Sequence, residues 1–221
     1  PLERGFGDTI GCAMRRVLLS SLPGSAVTQV QIDGVLHEYS AIDGVKEDVV
    51  EILLNFKSLC LSLSEEVDEV TLSLSKKGEG IVTAADIESH QSVTLTDPSH
   101  VIAHLGKGGS LDVQFVVKRG RGYQPAQKVS KDSEVGKTIG MMDLDASFSP
   151  VTRVTYSVDN ARVGQRTDLD KLTITLQTNG TIDPEQALRR ASTLLHEQIS
   201  VFVDIRAPQV SIEEEAEPEV D

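Results

Sequence analysis

Four short stretches of this 221-residue chain hold the residue types from which reactive and ligand-binding sites are built. Gly5-Phe6-Gly7-Asp8-Thr9-Ile10-Gly11 offers glycines for close approach to a pyrophosphate. Its spacing is G-x-G-x-x-x-G, however, and no acidic residue closes a strand–turn–helix–strand unit behind it, so the glycines read as a turn into a helix. Gly136-Lys137-Thr138 copies the end of a phosphate-binding loop, but Lys131 stands where that loop needs its first glycine. His100 and His104 could share a metal ion on a helix. Pro98 and the intervening Val101-Ile102-Ala103 favour an extended segment, which separates them by roughly 13 Å. Arg119-Gly120-Arg121-Gly122-Tyr123 offers two cations and a stacking ring on flexible backbone, the chemistry of single-strand contact, with Lys118, Lys128 and Lys131 nearby. No serine–histidine–acid set and no carboxylate pair stands out. The residues signal no catalytic centre, cofactor or metal.

Charge and composition narrow the choice further. The chain carries a net charge of −13, and without the six acids of its last nine residues the body still stands at −7. Phosphate-backbone affinity comes from clustered Lys and Arg, so any nucleic-acid role is expected to be indirect. Hydrophobic residues make up 39% of the chain, enough for a sizeable core, and no apolar run approaches the roughly 18 residues of a membrane span. Cys12 and Cys60 read as free, buried thiols of a reducing cytoplasm. Pro1-Leu2-Glu3-Arg4-Gly5 lacks an initiator Met and an apolar signal region, so the chain reads as cut at its front.

The elements that must position these residues are written most clearly at Gly7–Ser21. Ile10, Ala13, Met14, Val17, Leu18 and Ser21 fall on one helical face; Asp8 can cap the start, and Pro23-Gly24 ends the helix. The opposite face is unusual. It carries Cys12, Arg16 and Leu19 with Arg15 at its edge, so the helix is expected to touch two things. Ala26–Ile32 alternates as a strand before Asp33-Gly34. Val45, Val49, Ile52, Leu53 and Phe56 recur at helical spacing. Leu59–Leu63 and Val70–Leu74 alternate and are expected to pair as a hairpin. Val93-Leu95 and Leu111–Val117 add strands, and Lys118–Lys137 reads as a long loop. Arg153–Val158 and Lys171–Leu176 are two further strands. Asp183 and Pro184 then open a helix whose stripe is Ala187, Leu188, Ala191, Leu194, Leu195, Ile199 and Phe202. Ser211–Asp221 is expected to be disordered.

Several of these runs, in order, resemble one family. Glu3-Arg4-Gly5-Phe6-Gly7 with Ala13–Ser21, Ile32–Ser40, Val82–Ile87, Arg119–Tyr123, Gln165–Leu172 and Thr178–Pro184 resemble the alpha subunit of bacterial DNA-directed RNA polymerase, over Pro1–Ile205. Asp8, Cys12 and Met14 stand where that family commonly has His, Asn and Leu. The resemblance implies an α+β fold: a discontinuous dimerisation subdomain (1–23 and 150–208) interrupted by a mostly β insert (24–149), then an acidic linker (209–221). It implies a cytoplasmic homodimer on which the catalytic beta and beta′ subunits assemble, meeting DNA only through the complex and contributing no residue to nucleotidyl transfer. Ile10, Met14, Val17, Leu18, Leu188, Ala191, Leu195, Ile199 and Phe202 would form the dimer interface. Cys12, Arg15, Arg16 and Leu19 would meet beta, and Lys57 and Leu144 would meet beta′. The loop 130–137 matches a family loop that contacts activators but is less acidic here. Further residues before Pro1 and a C-terminal DNA-binding domain after Asp221 would complete such a subunit. The rival reading is an RNA- or single-strand-binding module built on Arg119–Tyr123.

Overall fold

A computed structural model describes residues 1–64, 66–126 and 140–203. Its described residues form an α+β fold with two main hydrophobic cores and a small third cluster of Ala26, Ala146 and Phe148. The first core collects α1 (Phe6–Ser20), the hairpin β11 (Val151–Val163) with β12 (Arg166–Thr178), and α3 (Pro184–Val203). The hairpin is antiparallel along its length, pairing Val154 with Leu176 and Val158 with Leu172. α1 lies across it and also meets α3. Met14, Leu18, Leu22, Val151, Val154, Ala187 and Ala191 are the fully buried members.

The second core is enclosed by β1 (Pro23–Ile32), α2 (Val49–Lys57), β2 (Leu61–Leu63), β3 (Glu69–Lys77), β4 (Gly80–Thr83), β5 (Val93–Leu95), β6 (Val101–Leu105), β7 (Ser110–Arg121) and β9 (Met141–Asp143). A four-stranded sheet in the order β3-β7-β1-β9 forms its floor, and α2 adds Val49, Ile52, Leu53 and Phe56 from above. The Phe56 and Phe115 rings meet at 5.0 Å between centroids. Short strands β8 (Tyr123–Gln124) and β10 (Ala146–Ser147) pair beside this sheet. Thr28 lies between the paired positions Val27 and Gln29 as a β-bulge; its hydroxyl donates to the Val116 carbonyl at 3.3 Å. By alternation the bulge sends Ala26 and Gly24 to the far face. There Phe148 covers a cross-strand pair of glycines, Gly24 opposite Gly120. A Cβ on Gly120 would stand 2.7 Å from that ring and one on Gly24 1.9 Å from the Phe148 carbonyl oxygen, which is why neither strand carries a side chain there.

Three sequence-based expectations are corrected. Leu59–Leu63 and Val70–Leu74 do not pair: β2 joins β5, and β3 joins β7. That choice sets Val70 against Val117, Leu72 against Phe115 and Leu74 against Val113, an unbroken apolar surface. The chain from Lys118 is not loop at first, since β7 runs to Arg121, held by Pro23–Ala26 of β1. α2 begins at Val49, capped by the Asp48 carboxylate on the Glu51 amide at 2.8 Å; Val45 instead bridges to Leu105.

Candidate functional site

α1 is anchored from a distance. Gly5, at φ 86°, turns the chain into the helix, and the Asp170 carboxylate on β12 accepts from the Gly5 and Gly7 amides at 2.8 and 3.0 Å. Asp8 is exposed and makes no cap, so the role expected of it belongs to Asp170. Leu2 and Asp170 also exchange both backbone hydrogen bonds, at 2.8 and 2.9 Å. Arg166 clamps Glu3 through two bonds of 3.0 and 2.7 Å, which holds the Glu3 carboxyl below its ordinary range. Gly7 and Gly11 complete the seat. A Cβ on Gly7 would meet Val158 at 2.6 Å, and one on Gly11 would meet the Tyr156 ring at 2.6 Å.

This seat rotates α1 relative to its apolar stripe. Gly7, Gly11, Met14 and Leu18 are buried against the hairpin and α3, while Ile10 and Val17 are half-buried on a flank. Met14 and Leu18, with Ala191 of α3, are therefore buried within the chain's own first core. Leu188 and Leu195 are half-buried, and Ile199 and Phe202 project into solvent. On the outer side Cys12, Arg15 and Arg16 are exposed together, and Leu19 is half-buried against the core. Cys12 was expected to be buried; α1's outward face leaves its thiol open, and Cys60 is half-buried with burial pushing its thiol up.

Lys57 ends α2 with its side chain exposed, as a contact residue needs. The Leu144 side chain is buried in the second core, and its amide donates to the Thr28 carbonyl at 2.8 Å. The next residue, Asp145, faces outward. Its carboxylate accepts from the Ala126 amide at 2.9 Å and from the Tyr123 hydroxyl, and lies 3.6 Å from the Lys57 ammonium. Those donors, the Ala126 amide foremost, hold Asp145 below the usual carboxylate range, and its hydrogen bond in turn raises Tyr123.

The remaining chemistry-bearing stretches do not gather. The His100 Nε2–H donates to the Asn55 carbonyl, 2.9 Å away, whereas His104 meets the Glu47 carboxylate. Among the described residues no cluster of three or more His, Cys, Asp or Glu could hold a metal. Arg119 donates to the Leu63 and Ser64 carbonyls, and Lys118 pairs with Glu69 at 3.1 Å, so the basic stretch forms the end of a strand. Gly136-Lys137-Thr138, the loop 130–137 and the acidic tail lie outside the described residues. A cleft of about 620 Å3 opens where the two cores adjoin, lined by Gly24, Arg119, Ile182 and Arg190 among others.

Asp170 and Asp145 escaped the sequence reading because each acts on residues far off in the chain. Gly7 and Gly11 carried a usable signal, glycines one helical turn apart on the face that becomes most buried. No described helix is long and apolar enough to cross a membrane. Residues 30–149, more than half of the chain, match the family described as the RNA polymerase Rpb3/RpoA insert domain. The matched stretch holds nearly the whole second core, with its sheet, α2 and the Asp145 cluster. The chain therefore belongs to the RNA polymerase Rpb3/RpoA insert-domain family and is a subunit of DNA-directed RNA polymerase.

Proposed function

We propose that this chain is an alpha subunit of the bacterial type: a homodimeric cytoplasmic platform that assembles beta and beta′ and takes no part in nucleotidyl transfer. Residues 1–23 and 150–208 would form the dimerising part, 24–149 the insert and 209–221 a linker. One observation carries the reading, the unfinished first core. Beyond its seven buried residues it holds nine half-buried apolar ones, and past them α3 continues with Ile199, Val201 and Phe202 at 51, 64 and 73% exposure. A monomer gains nothing from an apolar helix end in water; a second copy would bury it together with the Ile10, Val17, Leu188 and Leu195 flank. The twofold contact would turn α1's outer face, with Cys12, Arg15, Arg16 and Leu19, toward a different neighbour, beta, while Lys57 would face beta′.

Light scattering over a concentration series tests the dimer, and Phe202→Asp is the sharper variant, because Leu195→Asp would also disturb the protomer's own core. Phe202→Asp is expected to give a folded monomer; a folded dimer would remove the end of α3 from the interface. Arg16→Ala is expected to keep the dimer and weaken capture of beta. Parent-like capture would exclude Arg16 from that contact. The Arg119–Tyr123 module is not favoured, since the Arg119 guanidinium is bound to two carbonyls of its own chain.

A further inference from the structure

The cleft of about 620 Å3 where the two cores adjoin is lined by the wrong residues for a junction between apolar cores. Along β7, Val113, Phe115 and Val117 alternate onto the inner face of the second core, and the same alternation carries on through Arg119 to Arg121. The strand face that closes a core thus ends in two cations, both in the cleft. Arg119 is held there by its bonds to the Leu63 and Ser64 carbonyls, and Arg121 is exposed. α3 brings a third cation, Arg190, to the same cleft. Among the described lining residues Asp68 is the one carboxylate, so three arginines face one acid in a chain whose net charge is −13.

We propose that this cleft binds a small phosphate-bearing molecule, its phosphate groups held by Arg119, Arg121 and Arg190. Guanidinium groups recognise phosphate through paired, charge-assisted hydrogen bonds, and cations converging from a strand and a helix offer a polyanion what a single surface arginine cannot. The volume falls in the range of small-molecule sites, which form preferentially where two units of a fold meet, and Pro150 and Ile182 add apolar surface for an organic part of the ligand. The start of α3 is not the source of the attraction, because the Asp183 carboxylate already takes the Glu185 and Gln186 amides. A nucleic-acid strand is the poorer fit, since it needs a basic track rather than a pocket, and the chain as a whole is acidic. At about 100° per residue, Arg190 lies on the far side of α3 from Leu188, Leu195 and Ile199, so the ligand does not compete with the proposed dimer contact. Bound there, it ties the end of β7 to α3 and so links the two cores.

The test is calorimetric titration of the full chain with inorganic pyrophosphate, ATP and adenosine. Pyrophosphate and ATP are each expected to bind once per chain and adenosine not at all; tighter ATP would assign an organic phosphate, tighter pyrophosphate an inorganic one. Arg121→Ala and Arg190→Ala are each expected to weaken binding about tenfold, with melting temperature and mass in solution at parent values. Arg189→Ala removes a neighbouring cation of α3 that pairs with Glu185 and does not line the cleft, and it should bind like the parent. Hydrogen exchange at saturating pyrophosphate should show protection at 119–121 and 181–190 together. No binding of either phosphate at millimolar concentration, or parent-like binding by Arg121→Ala or Arg190→Ala, would overturn the proposal. So would an equal loss in Arg189→Ala, which would mean attraction to diffuse charge. A single-stranded oligonucleotide that displaces ATP and depends on the same two arginines would overturn it in favour of a polymer.

Discussion

The two cores differ in how completely they close. Among the described residues the insert core has 26 buried apolar members and five half-buried ones, whereas the core under α1 and α3 has seven buried and nine half-buried. A fully buried aliphatic or aromatic side chain contributes about 1.5–3 kcal/mol, and a half-buried one leaves part of that ungained. The insert therefore holds its stability internally. The α1/α3 unit keeps a reserve of apolar surface that only association can use, and it places that reserve on one flank and one helix end. A finished module and an unfinished one in a single chain is what an assembly subunit requires: one part that keeps its shape whatever binds, another that gains by binding.

The largest effect expected follows from the closed core. Phe56→Ala removes a ring with no exposure that packs on Phe115, and should cost about 3–5 kcal/mol in chemical denaturation. If the insert is self-sufficient, that loss is the same at every protein concentration. A loss that shrinks as concentration rises would show the insert sharing in association and would blur the contrast between the cores.

The open core gives the complementary result. Phe202→Asp removes an exposed ring, so the lone chain should lose almost no stability, while the proposed dimer should weaken by at least about tenfold, the equivalent of roughly 1.5–3 kcal/mol of forgone burial. Sedimentation over a dilution series reads the shift. An unchanged dimer together with a lowered protomer melting point would reverse the assignment of the two cores.

This contrast also explains what the sequence could and could not disclose. α1, β1 and α3 were legible because each is a local periodic pattern, and at α3 the Asp183 carboxylate accepts from the Glu185 and Gln186 amides as its position predicts. Pairing was not legible: Val70, Leu72 and Leu74 are equally apolar opposite a near strand or a distant one, and the whole core decides. Nor could periodicity separate Met14 and Leu18, buried within the protomer, from Val17 and Leu195 beside them. The split depends on Gly7 and Gly11 letting α1 sink onto the hairpin, which rotates the stripe. Asp170 illustrates the limit best, capping α1 across 163 positions of chain. The candidate partner contacts came from family resemblance, because a face that awaits a neighbour has the same residue types as one that has none.

Asp170 yields the next effect in size. Asp170→Ala deletes a carboxylate that satisfies two amides at the start of α1, one of them buried, and should cost about 1–2 kcal/mol. Hydrogen exchange should place the loss in α1 and the Leu2 bridge and leave β1 and β7 unchanged. Equal loss of protection in the insert sheet would show that the two cores unfold as one cooperative unit, which the burial contrast alone does not require.

The smallest effect belongs to the insert and is read in acid. Burial alone would raise Glu47, but the His104 amide at 2.7 Å and the His104 ring outweigh it, and the net shift is downward from 4.5. A carboxyl lowered on folding contributes its stability above its unfolded value and loses it as pH falls through the folded one. Glu47 should thus stabilise the insert at neutral pH and lose that contribution as pH falls from the ordinary carboxyl value of 4.5 through the lower folded one. Its bonds tie the 44–48 segment to β6, where Lys46 donates to the His104 carbonyl at 3.0 Å. Glu47→Gln should flatten the acid limb of the insert's stability curve while leaving the dimer's concentration dependence untouched. A steeper acid limb, or a dimer that becomes pH-sensitive, would mean that His104 and Glu47 serve the open core rather than the closed one.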